Sequence, residues 1–493
     1  MAARPTPSTT PFRMGPVPLW MALAGGLGWG IRGQYGHETG AMVAGVLVGF
    51  AAVLSLGSRV SSLTAARAVA LTAIGISCGG SMTYGQTIGL THDGPLIGDG
   101  PAWWWGMLGL ALKGALWIGF AGAFLGIGLG GKRYRAWEIV LLLAAMILLA
   151  FLGVWLLNRP FDPANKILPQ IYFSDSWDWE PAGDLKPRPE CWGGLLLALA
   201  GAVGYVTLIR RDRLAGRLAL AGCVAGGIGF PVGQSVQSWR AWHPQRFSTE
   251  ALGELAPYLQ HVNWWNMMEI TFGAVFGLVL GVGLWLNRRL IVDERATDEA
   301  PTVTIPLLWE VRLCALHVSL LVGAAFLKVP GLAWYEASGL FLCAVPLVGV
   351  VAGRLWPYLM ALPIALLPIA GKTLRNLSYE HSEWAPLIGW IVLVVVPLTL
   401  ALEVALGLAL RPKPKHLTGA TTVAHWGLAT ATVLFTALNF AFFRLPWPWA
   451  EWTGRTPSGI LLAICAGGLL LAVMRSALRR ERSPPDKARA LAE

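Results

Sequence analysis

The chain has 493 residues, of which 55% are hydrophobic and 13% are charged, and its formal net charge is +11. Soluble domains carry about 25% charged residues, and disordered chains combine low hydrophobicity with high charge, so both classes are excluded. The composition instead indicates an all-α protein, a polytopic membrane helix bundle in which lipid replaces water around most of the surface.

About fourteen stretches are long and apolar enough to cross a bilayer, since a membrane helix needs roughly 20 mostly apolar residues. The predicted spans are 15–31, 41–57, 65–83, 103–129, 138–157, 192–209, 218–236, 264–286, 312–328, 335–353, 355–371, 385–408, 420–444 and 457–474. Runs of this length without alternation exclude a transmembrane β-barrel. We therefore predict an N-terminal tail (1–14), a single transmembrane domain (15–474) and a basic C-terminal tail (475–493).

Basic residues divide unevenly between the two sides of these spans. With both termini inside, every inner loop is short and basic, whereas the outer loop 84–102 contains no Lys or Arg. Cytoplasmic loops carry such an excess, which predicts a multi-pass protein of the bacterial cytoplasmic (inner) membrane with both termini cytoplasmic. The predicted outer loops are 84–102, 158–191, 237–263, 372–384 and 445–456. The sequence contains no soluble domain with a basic face rich in aromatic residues, so no nucleic-acid partner is predicted.

A short motif recurs at the outer ends of four predicted spans. The copies are Gly33-Gln34, Gly85-Gln86, Gly233-Gln234 and the degenerate Gly371-Lys372. Gly-xxx-Gly steps in the helices that follow, at Gly122 and Gly126 and at Gly273 and Gly277, have a spacing that lets helix backbones approach closely. We favour an internal repeat of four-helix units over a compositional similarity among Gly-rich helices.

The densest polar segment, 32–40, joins the first two predicted spans. It contains Arg32, Gln34, His37 and Glu38 at a membrane boundary, where a lipid-exposed charge is costly. Its glycines permit an irregular backbone, which membranes tolerate where it lines a cavity. We therefore predict His37 and Glu38 as a general base and its orienting partner, with Arg32 binding an anion. The alternative is an interfacial loop with satisfied hydrogen bonds.

Other polar residues of the outer segments supply the rest of the predicted substrate-binding site. They are Gln86, His92, Asp93, Gln234, Arg240, His243, Lys372, Arg375, Glu380 and His381. Lys113 and Glu269 lie within predicted spans, and their depth predicts a buried ion pair that faces the same cavity. The His and acidic side chains could bind a divalent cation, but no typical metal-ligand spacing occurs, so no metal is predicted and no cofactor is indicated.

Most of the 25 tryptophans lie in or beside the outer loops. An interfacial belt places Trp at both membrane faces, so it does not explain why more Trp lie on the outer side. This excess of outer Trp also favours stacking of their rings on sugar rings or cations. The long loop 158–191 is predicted to cap the cavity, with a Pro-rich tether as the alternative.

Three functions are compatible with this sequence. The one-sided polar segments favour a membrane-embedded transferase or hydrolase that acts at the outer, periplasmic face on a lipid-linked or sugar-like substrate. A secondary transporter or lipid flippase is the alternative, although the inner half offers few polar side chains. A non-catalytic membrane assembly subunit is the third, if the Gly-xxx-Gly faces bind other proteins. The expected partners are the lipid bilayer and a lipid-linked or carbohydrate substrate.

Overall fold

The computed structural model describes residues 16–36, 38–130, 132, 134–291, 305–327, 329–332, 353–410, 419–444 and 451–481. These residues are helical apart from connecting segments and one isolated β-bridge between Asp162 and Ile167. Within these ranges, eleven helices are long and apolar enough to cross a membrane. The predicted all-helical class with many apolar helices, typical of a multi-pass membrane protein, is therefore confirmed.

The helices of eight or more residues have the following bounds in chain order. The first half contains α1 (Val17–Arg32), α2 (Glu38–Leu56), α3 (Ser62–Cys78), α4 (Gly85–His92), α5 (Gly100–Leu129), α6 (Ala136–Leu157), α7 (Trp192–Gly204, continued by a π-helical turn, Tyr205–Ile209) and α8 (Arg213–Trp242). The second half contains α9 (Trp264–Leu286), α10 (Leu307–Ala325), α11 (Trp356–Glu380), α12 (Pro386–Leu410), α13 (Gly419–Phe442) and α14 (Thr456–Glu481).

Most predicted spans correspond to these helices. Eleven match the long apolar helices, and two others match α1 and α3, which have 16 and 17 residues. The predicted span 335–353 lies, apart from Gly353, outside the described residues. Helix α3 ends at Cys78, earlier than predicted, because Gly79 begins a separate 3-10 turn. The outer loop 84–102 contains the short helix α4.

Six helices form a closed ring in the order α1, α2, α3, α5, α8 and α9, with α9 packed against α1. Neighbouring helices run antiparallel: Gly45 of α2 lies against Ala73 of α3, and Gly49, one turn further along α2, lies against Val69. Helices α6 and α7 pack on each other beside α5, while α11, α13 and α14 pack outside α1 and α2. The outer end of the ring is defined here as the end that carries Arg32 and Tyr84.

The Gly-xxx-Gly steps are contacts between ring helices. Gly122 and Gly126 of α5 lie against the backbone of α8, and Gly273 and Gly277 of α9 lie against the backbone of α1. Only a residue without a side chain fits where two helix backbones are this close. The close approach predicted from their spacing is therefore confirmed.

Aromatic side chains fill the interior of the ring. Trp29, Trp117, Phe230, Phe272 and Phe276 are each at most 1% exposed. The ring centroids are 4.9 Å apart for Trp29 and Trp117, and 4.5 Å apart for Phe230 and Phe272, which are distances of favourable aromatic pairs. Trp29 lies one turn before Arg32 on α1, and the Arg32 guanidinium lies over Trp29 and Trp117, so this aromatic cluster is directly below Arg32 in the ring.

Candidate substrate-binding site

A cavity of about 290 Å³ opens at the outer end of the ring. Its lining residues are Arg32, Gly33, Gly36, Thr83, Tyr84, Gly85, Arg188, Trp265 and Glu269. They come from the end of α1, the turn before α4, the start of α9 and the loop 158–191. At about 30 Å³ per molecule the cavity has room for about ten waters, which places it near the lower end of small-molecule sites.

Arg32 forms the inner wall of the cavity and is 2% exposed. Its Nη1 atom donates to the hydroxyl oxygen of Tyr84 and lies 3.5 Å from Oε1 of Glu269. The guanidinium carbon is 5.0 to 5.1 Å from the ring centroids of Trp29, Tyr84 and Trp117, within the range of cation–π attraction. One carboxylate and three aromatic faces therefore stabilise this buried charge.

The Glu269 carboxylate is 1% exposed and is held from two sides. Its Oε2 atom accepts a hydrogen bond of 3.1 Å from the amide of Asn266, which also donates to the carbonyl oxygen of Gly30 at 2.8 Å. Asn266 and Glu269 are three residues apart on α9 and so share a helix face. A Cβ atom at Gly33 would lie 2.5 and 2.7 Å from the two carboxylate oxygens, so the carboxylate packs against bare backbone.

The predicted ion pair between Lys113 and Glu269 is wrong. The Nζ atom of Lys113 lies 2.6 Å from Oε1 of Glu190 and 2.6 Å from the hydroxyl of Thr87, whereas Glu269 pairs with Arg32. The reason is the ring order, which places α8 between α5 and α9. Lys113 therefore faces α4 and the loop 158–191, while Glu269 faces α1.

The three glutamines of the recurring motif make different contacts, and none of them lines the cavity. The carbonyl oxygen of Gln34 accepts a hydrogen bond from Nζ of Lys372. The Gln86 side chain binds the backbone of loop 158–191. Gln234 is buried, and its amide donates to the Thr91 hydroxyl at 2.7 Å.

Several other predicted residues lie away from the cavity. His92 and Asp93, at the end of α4, are 3.5 Å apart between Nδ1 and Oδ1. At the end of α8, the Arg240 guanidinium lies over Phe247 and the His243 ring contacts Trp239. Around the end of α11, Glu380 and His381 are exposed, and Arg375 is half-buried. The cavity lining includes none of these residues.

The predicted acid–base pair stays a prediction. His37 lies outside the described residues, as does the side chain of Glu38, whose backbone begins α2. The preceding residue Gly36, with a φ of +93°, lines the cavity.

Of the residues that line the cavity, the sequence predicted only Arg32 and Glu269 as site residues. Tyr84, Arg188 and Trp265 line the cavity, and Asn266 holds Glu269. Two signals were present: Tyr84 directly precedes the second motif copy, and Asn266 precedes Glu269 by three residues. Arg188 lies between two prolines. This pattern restricts the backbone conformation, but it does not indicate which part of the protein the Arg188 side chain reaches.

A second acidic group lies on the strap (172–190), the part of loop 158–191 that contacts α4 and α5. Asp175 is 8% exposed, and its carboxylate lies near that of Asp93. A Cβ atom built at Gly89 would be 2.5 Å from Oδ2 of Asp93 and 3.8 Å from Oδ2 of Asp175. Burial, together with the negative charge of Asp93, raises the pKa of Asp175 from 3.8 to about 6.

Asp175→Asn is expected to stabilise the protein at pH 8 but not at pH 4. A raised folded-state pKa means that the folded chain holds the proton more tightly, so the stability contributed by Asp175 is lost as the pH rises from 3.8 through about 6. A shift of this size corresponds to about 3 kcal/mol, which solvent screening reduces to about 1–2 kcal/mol. Thermal unfolding of the natural protein and of Asp175→Asn at pH 4 and at pH 8 measures this change in stability.

Asp184→Asn is the matched control, because Asp184 is an exposed carboxylate of the same strap. Its substitution should change the unfolding temperature little at either pH. A difference between Asp175→Asn and the natural protein that is the same at pH 4 and pH 8 would contradict the prediction.

No protein-family model, curated protein or solved structure matches this chain. In the part of the chain that the structure describes, no three His, Cys, Asp or Glu side chains are grouped as a metal site requires. The cavity contains two arginines and one carboxylate, and the nearby Arg455 also acts electrostatically on Glu269. Positive charge therefore exceeds negative charge in the cavity, which favours an anionic ligand.

Proposed function

We propose that the cavity binds the negatively charged head group of a lipid-linked substrate and that the protein acts on it there as a transferase or hydrolase. The observation that carries this proposal is the excess positive charge of the cavity, where Arg32 and Arg188 face a single carboxylate, Glu269. A guanidinium group suits phosphate and carboxylate groups because it can donate two parallel hydrogen bonds. Trp265, also in the lining, offers an aromatic face to a sugar ring.

The side chains of the cavity suit acid–base chemistry on such a substrate. Glu269 is within reach of the cavity, and its hydrogen bond from Asn266 orients it as a general base or acid. Arg32 stabilises negative charge that develops on the substrate. His37 and Glu38 belong to the proposal as the predicted base and its partner, because they follow Gly36 of the lining.

The proposed arrangement in the membrane has fourteen spans in the bacterial inner membrane, with both termini cytoplasmic. Positive-inside sorting of the loop charges supports this orientation, and it places the cavity at the periplasmic face. The recurring Gly-Gln motif supports an internal repeat of four-helix units. Of its copies, Gly33-Gln34 follows α1, Gly85-Gln86 begins α4 and Gly233-Gln234 lies in α8, all toward the outer end of the ring.

Two alternatives receive less support. A transporter or flippase needs a route to the opposite side, and the aromatic cluster around Trp29 and Phe272 occupies the ring directly below the cavity. A non-catalytic assembly subunit would use Gly-xxx-Gly faces for partners, yet Gly122, Gly126 and Gly273 already contact neighbouring helices. An enzyme that works from one side of the membrane fits both observations.

Reconstitution into liposomes tests the proposal. The purified protein is assayed in parallel for turnover of polyprenyl-linked and phospholipid donors and for movement of the same lipids between leaflets. We expect turnover in the natural protein and a loss of about a hundredfold or more in Glu269→Gln, the size typical of a general acid–base residue. Glu250→Gln, which removes an exposed carboxylate between α8 and α9, is the matched control and should keep full turnover.

Lipid movement without turnover, unaffected by Glu269→Gln, would contradict the enzyme proposal and support the flippase. Turnover that survives in Glu269→Gln but disappears in His37→Ala would assign the base to the predicted pair and overturn the role proposed for Glu269.

A further inference from the structure

We propose that the substrate of this site carries a diphosphate, with one phosphate bound by Arg32 and the other by Arg188, and that the buried pair Lys113–Glu190 positions Arg188. This inference rests on the proposed function and names its substrate class. It makes Arg188 the residue that distinguishes a diphosphate from a monophosphate. It also gives Lys113 a positioning role in place of the substrate contact predicted from the sequence.

Lys113 and Glu190 hold both ends of the strap against the bundle. Besides its ion pair with Lys113, Oε1 of Glu190 accepts a hydrogen bond of 2.9 Å from the Ser174 hydroxyl, and Oε2 accepts one of 3.0 Å from the Phe173 amide. Lys113 also donates to Thr87 of α4. One buried carboxylate thus joins the start of the strap, its end, and helix α5.

The backbone at Arg188 is fixed between these two ends. Its N–H donates to Oε1 of Gln86 at 3.0 Å and to the Tyr172 hydroxyl at 3.1 Å, and its carbonyl oxygen accepts a hydrogen bond of 3.0 Å from the same hydroxyl. Pro187 and Pro189 flank it, which fixes their own φ angles and restricts Arg188 to extended conformations. A rigid backbone therefore carries the Arg188 side chain to the cavity.

The charges of the cavity favour two phosphates over one. The charge of Arg32 is partly balanced by Glu269, 3.5 Å away, whereas Arg188 is an exposed residue of the lining whose charge acts on Asp175, so a single phosphate at Arg32 leaves the Arg188 guanidinium available for a second phosphate. The two arginines come from different walls, the end of α1 and the strap. The cavity between them holds the volume of about ten waters, which is enough for two phosphate groups. A diphosphate satisfies both guanidinium groups at once.

Farnesyl monophosphate and farnesyl diphosphate are the probes, and their binding to the full-length protein in detergent is measured by calorimetry. We expect the natural protein to bind the diphosphate about tenfold to a hundredfold more tightly, as one added charge-assisted interaction gives. Arg188→Gln should abolish this preference while changing the affinity for the monophosphate less than about threefold. Arg246→Gln, which alters an exposed arginine beside Trp239, is the matched control and should keep the preference.

Lys113→Met and the milder Glu190→Gln test the positioning role. Both should abolish the preference for the diphosphate, keep binding of the monophosphate at Arg32, and accelerate hydrogen exchange at the amides of Phe173 and Arg188. A variant that is merely unfolded would lose binding of both ligands. If Lys113→Met fails to fold, Glu190→Gln alone tests the positioning role. Unchanged exchange and preference in a folded Glu190→Gln would overturn the positioning role.

The outcomes separate this inference from the proposed function. Equal affinities of the natural protein for the two probes would overturn the diphosphate assignment and leave a site for lipid-linked anions. Failure of both probes to bind would contradict the proposed function itself.

Discussion

Arg32→Met is expected to destabilise the protein by about 3–5 kcal/mol, because it leaves the buried Glu269 carboxylate without the cation 3.5 Å away. Glu269→Gln should also be destabilising, since it removes the charge opposite Arg32. The double variant removes both charges, and its neutral Met and Gln side chains carry no comparable penalty. We therefore expect the double variant to be more stable than Arg32→Met alone.

A double-mutant cycle on the free energy of unfolding in detergent measures this coupling. The expected coupling energy is about 3 kcal/mol, far above the 0–1 kcal/mol of exposed pairs. Arg246→Met and Glu250→Gln, two substitutions outside the cavity lining, form the control cycle and should be additive. Additive effects of the Arg32 and Glu269 substitutions would show that the two side chains do not stabilise each other.

The apolar helices could be predicted from the sequence because lipid imposes a strict physical requirement on length and polarity. A run of about 20 apolar residues has few other uses, so the helices at 264–286 and 385–408 were predicted to within a residue or two of their bounds. The Gly-xxx-Gly steps were equally informative, since glycine at that spacing serves close helix contact. Which helix each step contacts was not predictable, because the ring order is a property of the whole bundle.

The ion pairs show where sequence reasoning reached its limit. Depth in the membrane correctly indicated that Lys113 and Glu269 are buried, since both are nearly inaccessible. Their partners were not predictable: Glu190 lies 77 residues after Lys113, and Arg32 lies 237 residues before Glu269. A buried charge needs a partner, but the sequence does not indicate which distant segment supplies it.

The recurring Gly-Gln motif illustrates a different limit. Gln86 holds the strap and Gln234 binds Thr91, while Gln34 contributes a backbone carbonyl to Lys372. The same residue in the same motif thus serves three purposes, because each copy meets a different neighbour in the ring. The site residues Tyr84 and Arg188 act through contacts that no local pattern encodes.

Gly273→Leu is expected to destabilise the protein by about 3 kcal/mol or more. A Cβ atom at this position would lie 2.7 Å from the Gly25 carbonyl carbon and 2.7 Å from Cβ of Trp29, so helix α1 would have to move. Gly467→Leu, on the exposed face of α14, is the matched control, because nothing lies within 4 Å of its Cβ position. Leucine favours helix more than glycine by about 1 kcal/mol, so this control should be neutral or stabilising.

The consequence for the cavity follows from the position of Trp29. Its ring contacts Phe272 on one side and the Arg32 guanidinium on another, 5.0 Å from the centroid. Displacement of α1 by Gly273→Leu therefore disrupts the contact between α1 and α9 and also moves Arg32, the inner wall of the cavity. In the fraction of Gly273→Leu that folds, we expect binding of farnesyl monophosphate to be weakened at least tenfold, whereas Gly467→Leu should bind like the natural protein. Folded Gly273→Leu with full affinity would show that the cavity does not depend on close packing of α1 against α9.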